Sequence, residues 1–87
     1  MQKELEDFRA QINHLDEQLV RLLNERAKVA LAIGEWKTRI GVKVYDPVRE
    51  RAVIERVDRL NTGPLDKGAM EELFATIIAV CREIQNR

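Results

Sequence analysis

Apolar residues recur at alternating steps of three and four along the first forty residues of the chain. This spacing, sustained for about five heptads, is typical of a helix whose apolar seam packs against other helices. It predicts a first helix over about residues 3–39 with one charged residue, Arg26, in its seam. The seam consists of Leu5, Phe8, Ile12, Leu15, Leu19, Leu22, Arg26, Val29, Ile33, Trp36 and Ile40.

A second helix is predicted over about residues 47–60. The segment 40–45 alternates apolar and polar residues as a strand would, but it is too short and isolated to build a sheet, so we interpret it as a loop. Asp46 and Pro47 then form a strong start signal, because aspartate is a favoured N-cap and proline suits the first helical position.

A third helix is predicted over about residues 67–86. The sequence 61–64, Asn-Thr-Gly-Pro, has turn chemistry that ends the second helix, and Asp66 is a plausible cap for the next one. The predicted fold class is therefore all-α, a single domain over 1–87 with one long and two shorter helices. The residues predicted to face inward are Ile54, Val57, Leu60, Met70, Leu73, Phe74, Ile77, Ile78, Cys81 and Ile84.

The length of the first helix bears on assembly. A helix of about 36 residues is about 54 Å long, whereas a compact globule of this size has a radius of gyration of about 12 Å. Two short helices cannot cover so long a seam, so we expect an intertwined homodimer. Gly34 lies inside this helix but away from the seam, and it costs roughly 1 kcal/mol relative to alanine.

Composition narrows the possible functions. The 15 basic and 15 acidic residues cancel, which gives little support to a nucleic-acid or anionic-membrane role. No apolar run is long enough to span a bilayer, and the N-terminus lacks the apolar core of a signal peptide. A lone Cys81 and a lone His14 argue against a disulfide, a metal site or a histidine-based catalytic pair. We therefore expect a cytoplasmic protein.

Positive side chains on the inward side of the first helix are the candidate chemistry. Arg26 in the seam is costly unless an anion meets it, and Lys37, eleven residues later, points within roughly 20° of the same direction. Together they could hold a small dianion. Arg9 lies about 25 Å before Arg26 along the helix and could reach that ligand only from an antiparallel partner. Alternatively, Arg26 sets helix register or pairs with an acid, and Arg9 and Lys37 are solvated or salt-bridged.

The whole pattern resembles the all-helical chorismate mutase family over nearly the full chain. The resemblance covers the order, spacing and lengths of the predicted helices as well as particular motifs. Those motifs are Phe8-Arg9 with Ile12, Leu15-Asp16, Leu22-Leu23-Asn24-Glu25-Arg26, Gly34-Glu35-Trp36-Lys37, Asp46-Pro47-Val48-Arg49-Glu50-Arg51, and Cys81 with Gln85.

The resemblance implies a homodimer with two sites, each built from both chains, that converts chorismate to prephenate for phenylalanine and tyrosine synthesis. Arg26 would bind one substrate carboxylate, and Arg9 of the partner subunit would bind the other. Lys37 and Gln85 would donate hydrogen bonds to the ether oxygen, with Lys37 also touching a carboxylate. The rearrangement is pericyclic and unimolecular, so it needs no metal and no cofactor.

The same resemblance assigns four further binding positions. Glu50 and the backbone at Asp46 would hold the ring hydroxyl, and Arg49 would lie beside a bound carboxylate. Cys81 stands where relatives often have serine, at a small wall position. A thiol is the poorer hydrogen-bond partner, so whether Cys81 contacts the substrate stays open.

Two other functions fit parts of the pattern. An isochorismate pyruvate lyase would bind its substrate, a related dianion, through the same cationic side chains. The acidic Glu50 suits a ring hydroxyl and favours the mutase. A non-catalytic helical dimerisation or regulatory module, such as one that binds an aromatic amino acid, would leave the buried cations unexplained. The sequence also leaves open whether the domain is free-standing or part of a bifunctional enzyme, and how it is regulated.

Overall fold

A computed structural model describes residues 2–86 and contains three α-helices: α1 (Gln2–Ile40), α2 (Pro47–Leu60) and α3 (Lys67–Gln85). No strand occurs in this part of the chain, so the predicted all-α class with three helices is confirmed. The predicted helix ends lie within one residue of the observed ones. Met1 and Arg87, the ends of the predicted domain, lie outside the described residues. No described helix is long and apolar enough to cross a membrane.

Side-chain caps begin α2 and α3 at the predicted residues. Asp46 Oδ1 accepts a hydrogen bond from the Arg49 N–H at 3.0 Å, and Pro47 occupies the first turn of α2. Asp66 Oδ1 accepts from the Ala69 N–H at 2.8 Å. Each cap satisfies a backbone donor that the helix cannot pair internally, which fixes where the helix begins.

A glycine ends α1 and turns the chain towards α2. Gly41 has φ of +79°, a conformation that residues with a Cβ rarely adopt. The Gly41 N–H donates to the Thr38 carbonyl at 3.3 Å, and the Val42 N–H donates to the Lys37 carbonyl at 2.9 Å. This is a Schellman arrangement, and it confirms that the residues after Ile40 form a loop.

The helix α3 packs against both α1 and α2, and the core of the single chain is small. Only Ala30, Ile78 and Cys81 are buried apolar residues within 2–86. Every residue of 2–25 is exposed, so the N-terminal part of α1 projects beyond the other helices. The radius of gyration is 16.6 Å, well above the roughly 12 Å of a compact chain of this length.

The seam of α1 is exposed along its whole length apart from Arg26, which is half-buried. Phe8 is 63% exposed, Leu19 55% and Trp36 53%, although such side chains are normally covered. Leu60 and Leu73, which were predicted to face inward, are also exposed. That prediction is wrong for the single chain, because they lie on faces that neither the α1–α3 nor the α2–α3 contact reaches.

Two carboxyl groups meet where α2 packs on α3. Asp58 Oδ1 is buried, and no N–H or hydroxyl group within residues 2–86 donates to it, so a protonated carboxyl group is the donor that suits it. A hydrogen bond with Asp58 raises the pKa of Glu71, and burial and the negative charge of Asp58 add to this effect. A protonated Glu71 can donate to Asp58, whereas two ionised groups repel. Because the pKa is raised in the folded state, this pair favours folding more strongly as the pH falls through the titration of Glu71.

Candidate active site

One cavity of about 280 Å³ lies between the C-terminal half of α1, the start of α2 and the last turns of α3. Seven of the eight sequence-predicted site residues line it: Arg26, Lys37, Asp46, Arg49, Glu50, Cys81 and Gln85. Its apolar wall includes Val29, Ile33 and Ile78. The remaining predicted residue, Arg9, lies on the projecting part of α1 and does not line the cavity.

The cations that line the cavity are largely unneutralised. Within residues 2–86, Arg26, Lys37 and Arg49 form no ion pair with a carboxylate. The Lys37 Nζ instead donates to the carbonyl oxygen of Val44 at 3.3 Å, which leaves its charge uncompensated. The alternative in which Arg26 pairs with an acid of its own chain is therefore not observed. Cations concentrated in a cleft with apolar walls attract a small anion.

Gln85 reaches the cavity because α3 approaches α1 closely at Gly34. The Gln85 Nε2 donates to the carbonyl oxygen of Ala30 at 2.7 Å. Gly34 is buried, and a Cβ there would lie 3.1 Å from both the Cβ and the Cγ of Gln85. The sequence pattern predicts no functional role for Gly34. The available signal was a residue of low helix propensity inside a strong helical pattern, which is compatible with a packing role.

Replacing Gly34 by alanine is expected to destabilise the protein, although alanine is the better helix former. The gain in propensity is about 1 kcal/mol, whereas forcing a Cβ against the stem of Gln85 costs about 1–3 kcal/mol. Gly68, on α3, is the matched control, because its nearest contact for an added Cβ is Asp66 Oδ1 at 3.6 Å. We expect Gly68→Ala to be neutral or stabilising in urea unfolding at equal protein concentration. If Gly34→Ala and Gly68→Ala stabilised the protein equally, the result would contradict the close packing of Gly34 against Gln85.

The acidic side of the cavity is formed by the first turn of α2 and the loop before it. Glu50 Oε1 accepts a hydrogen bond from the Arg82 guanidinium at 2.6 Å. The same guanidinium lies over the Tyr45 ring, 5.1 Å from its centroid. Arg82 lines the cavity but was not among the predicted site residues. A single arginine on an amphipathic helix gives no pattern that separates it from an ordinary surface charge.

Cys81 forms part of the cavity wall beside Ile78. Its thiol is free and the residue is buried. Cysteine behaves here as a small apolar residue, since a thiol is a weak donor and a weak acceptor.

The side chains around the cavity suit binding and charge stabilisation. Its described lining offers three unpaired cations, an amide and two carboxyl groups, but no histidine that could activate Cys81 as a nucleophile. Arginine binds carboxylates through its planar fork, and lysine places a compact charge on one oxygen. The cavity is thus suited to a small dianion that also carries a hydroxyl group.

The family comparison and two curated relatives agree with this chemistry. The chorismate mutase type II family matches residues 8–86. The chain is 36% identical, over 98% of its length, to the bifunctional chorismate mutase/prephenate dehydratase of Aquifex aeolicus. It is 42% identical, over 85% of its length, to the protein of the same name from Neisseria gonorrhoeae. The chain spans 25% and 20% of these two relatives, respectively.

A solved structure shows the same fold over nearly the whole chain. Chorismate mutase (form II) from Thermus thermophilus superposes with a TM-score of 0.95 at 26% sequence identity. The match covers 97% of this chain and 96% of the Thermus chain.

Proposed function

The chain belongs to the type II chorismate mutase family, and we propose that it converts chorismate to prephenate, the precursor of phenylalanine and tyrosine. The observation that carries this proposal is the group of unpaired cations, Arg26, Lys37 and Arg49, around one small cavity. Chorismate is a dianion with a ring hydroxyl, so its charges match those of the cavity lining.

The two substrate carboxylates have separate cationic partners in this proposal. Arg26, which is half-buried in the cavity wall, binds one carboxylate, and Arg49 lies beside it. Arg9 of the partner subunit binds the other. Within its own chain, Arg9 lies about 25 Å of helix rise from Arg26, too far to share one ligand of this size.

Rate enhancement comes from positioning and from charge stabilisation. The cationic contacts hold the flexible enolpyruvyl arm over the ring, which removes orientational freedom before the reaction. Negative charge grows on the ether oxygen as its bond to the ring carbon breaks, and Lys37 and Gln85 stabilise it. The Gln85 amide has two N–H donors, and the bond to the Ala30 carbonyl uses one of them. The other donor remains for the ether oxygen.

The remaining side chains of the cavity bind the rest of the substrate. The Glu50 carboxylate accepts a hydrogen bond from the ring hydroxyl, and the backbone at Asp46 forms a second hydrogen bond with it. The N-cap hydrogen bond between the Asp46 side chain and the Arg49 N–H holds that backbone in place. Cys81 provides a small wall against the ring. We place this chemistry in the cytoplasm, where a free cysteine is stable as the thiol.

The exposed seam supports a homodimer with shared sites. A second copy laid along α1 would cover side chains such as Leu19 and Trp36 and would bring Arg9 to the cavity of its partner.

Analytical ultracentrifugation at micromolar concentration should therefore give twice the mass of one chain. Leu19→Asp should shift the protein towards monomer, because the interface would bury an unpaired charge. Gln18→Asp, one position off the seam, is the control, and a monomeric unmodified protein would contradict the dimer.

Loss of chorismate absorbance, with prephenate identified as the product, tests the proposed function. Saturable conversion that disappears on removal of Arg26 is the expected result. Elimination of pyruvate from isochorismate without mutase activity would favour the lyase instead. Binding of an aromatic amino acid with no turnover of either substrate would identify a regulatory module.

A further inference from the structure

The position of Arg82 points to a role that the proposed reaction does not itself require. We propose that Arg82 is a positioning residue that holds Glu50 as the acceptor for the ring hydroxyl. This inference rests on the proposed function and adds to it a determinant of hydroxyl recognition. Arg82 acts through Glu50 and is not itself a ligand of the substrate.

Arg82 joins three parts of the chain at the edge of the cavity. It extends from α3, bonds to Glu50 in the first turn of α2, and stacks on Tyr45 in the loop before α2. The Arg82 and Glu50 side chains are 36% and 25% exposed, so water screens the pair only in part. A 2.6 Å contact between ionised groups is short and directional. These contacts fix the Glu50 carboxylate against a helix that carries the other side of the cavity.

The geometry leaves one oxygen of Glu50 available. Its Oε1 accepts from Arg82, and Oε2 has no hydrogen-bond partner among residues 2–86. An ionised carboxylate accepts at both oxygens, so Oε2 can accept from a substrate hydroxyl while Oε1 remains bound. If Glu50 were unpaired, its side chain could change rotamer, and its negative charge could compete with the substrate carboxylates for the cations that line the same cavity.

The charge of Arg82 also offsets an unfavourable interaction. A carboxylate in the wall of a dianion site repels its ligand, and a cation bound to that carboxylate reduces the repulsion. Arg82 differs in this respect from Arg26, Lys37 and Arg49, which have no acidic partner in the described chain. The charge of its guanidinium is offset by the Glu50 carboxylate, whereas the charges of the three other cations are not offset within the described chain and suit the substrate carboxylates.

A substrate analogue that lacks the ring hydroxyl tests this role. Arg82→Met should lower kcat/KM for chorismate by about tenfold or more, the usual effect of losing a hydrogen bond that involves a charged group. It should change kcat/KM for the deoxy analogue by less than about twofold. Arg82→Lys should restore part of the loss, and Arg51→Met, an exposed arginine of α2 outside the cavity lining, should change neither value.

Epistasis with Glu50 gives a second readout. The double variant Glu50→Gln with Arg82→Met should be no slower on chorismate than Glu50→Gln alone, because both changes remove the same interaction. Losses that multiply, or an equal loss on chorismate and on the deoxy analogue, would overturn the inference and would assign Arg82 a direct contact or a general structural role. Circular dichroism of each variant establishes that it folds, and Arg82→Gln, which removes the charge but keeps a polar side chain, replaces Arg82→Met if the latter does not.

Failure of the inference and failure of the proposed function give different results. If the unmodified protein does not convert chorismate, the proposed function is wrong and the role of Arg82 falls with it. If the unmodified protein is active and Arg82→Met slows both substrates equally, only the role of Arg82 is wrong. The coupling of Arg82 to Glu50 is also measurable without substrate, as non-additivity of the two substitutions in the free energy of unfolding, and additive effects would contradict the pairing.

Discussion

Lys37→Ala is expected to lower kcat for chorismate by about a hundredfold or more while raising KM far less. Removing one preorganised donor to a developing negative charge typically costs this much in turnover. In the proposed mechanism, the contact of Lys37 with the ether oxygen strengthens as that oxygen gains charge, so its loss falls mainly on the transition state. Steady-state kinetics, followed by chorismate absorbance, separates the two parameters.

Lys43→Ala provides the control for the Lys37 experiment. Lys43 is an exposed lysine in the loop after α1, and it does not line the cavity. Its removal changes the net charge by the same amount, so any effect of long-range attraction would appear in both variants. A rise in KM at unchanged kcat in Lys37→Ala would show that Lys37 stabilises the bound substrate and the transition state equally. That result would contradict the assigned role.

Mixing Arg9→Ala with Arg26→Ala is expected to recover activity that neither variant has alone. If each site takes Arg26 from one chain and Arg9 from the other, a heterodimer of the two variants keeps one intact site. Statistical exchange makes half of the dimers heterodimers, so about a quarter of the wild-type activity should return. The measurement is turnover of the mixture after subunit exchange, verified by native mass spectrometry of differently tagged chains.

A mixture of Arg26→Ala with Lys37→Ala is the matched control for the exchange experiment. Both residues line the cavity of the same chain, so the heterodimer has no intact site. This mixture should stay inactive under conditions in which the first recovers. Recovery in both mixtures, or in neither after verified exchange, would argue against sites shared between chains.

Local signals in the sequence were sufficient to predict the elements. The heptad spacing of α1, and the caps at Asp46 and Asp66, depend on neighbouring residues within a few turns, so the helix bounds follow from them. Seven predicted site residues line one cavity, but their motifs were interpreted through a family resemblance rather than from spacing alone. The roles of these residues stay predictions.

What the sequence did not predict depends on contacts between distant residues. The burial of Gly34 results from the approach of Gln85 on another helix, and nothing near Gly34 in sequence encodes that partner. Arg82 and Glu50 lie on different helices, and each alone has the pattern of a surface charge. Leu60 and Leu73 show the converse case, since helical periodicity marks an apolar face without specifying which chain covers it.

A crystal structure of the protein with a stable dicarboxylate analogue of the transition state tests the central claim most directly. The claim is that Arg26, Lys37 and Arg49 stay unpaired within their own chain because a doubly negative ligand occupies the space between them. The expected result is one carboxylate on Arg26, the other on Arg9 of the partner subunit, and the ether oxygen within hydrogen-bond distance of Lys37 and Gln85. Cations neutralised by the protein's own acids, with the analogue absent from the cavity, would contradict it.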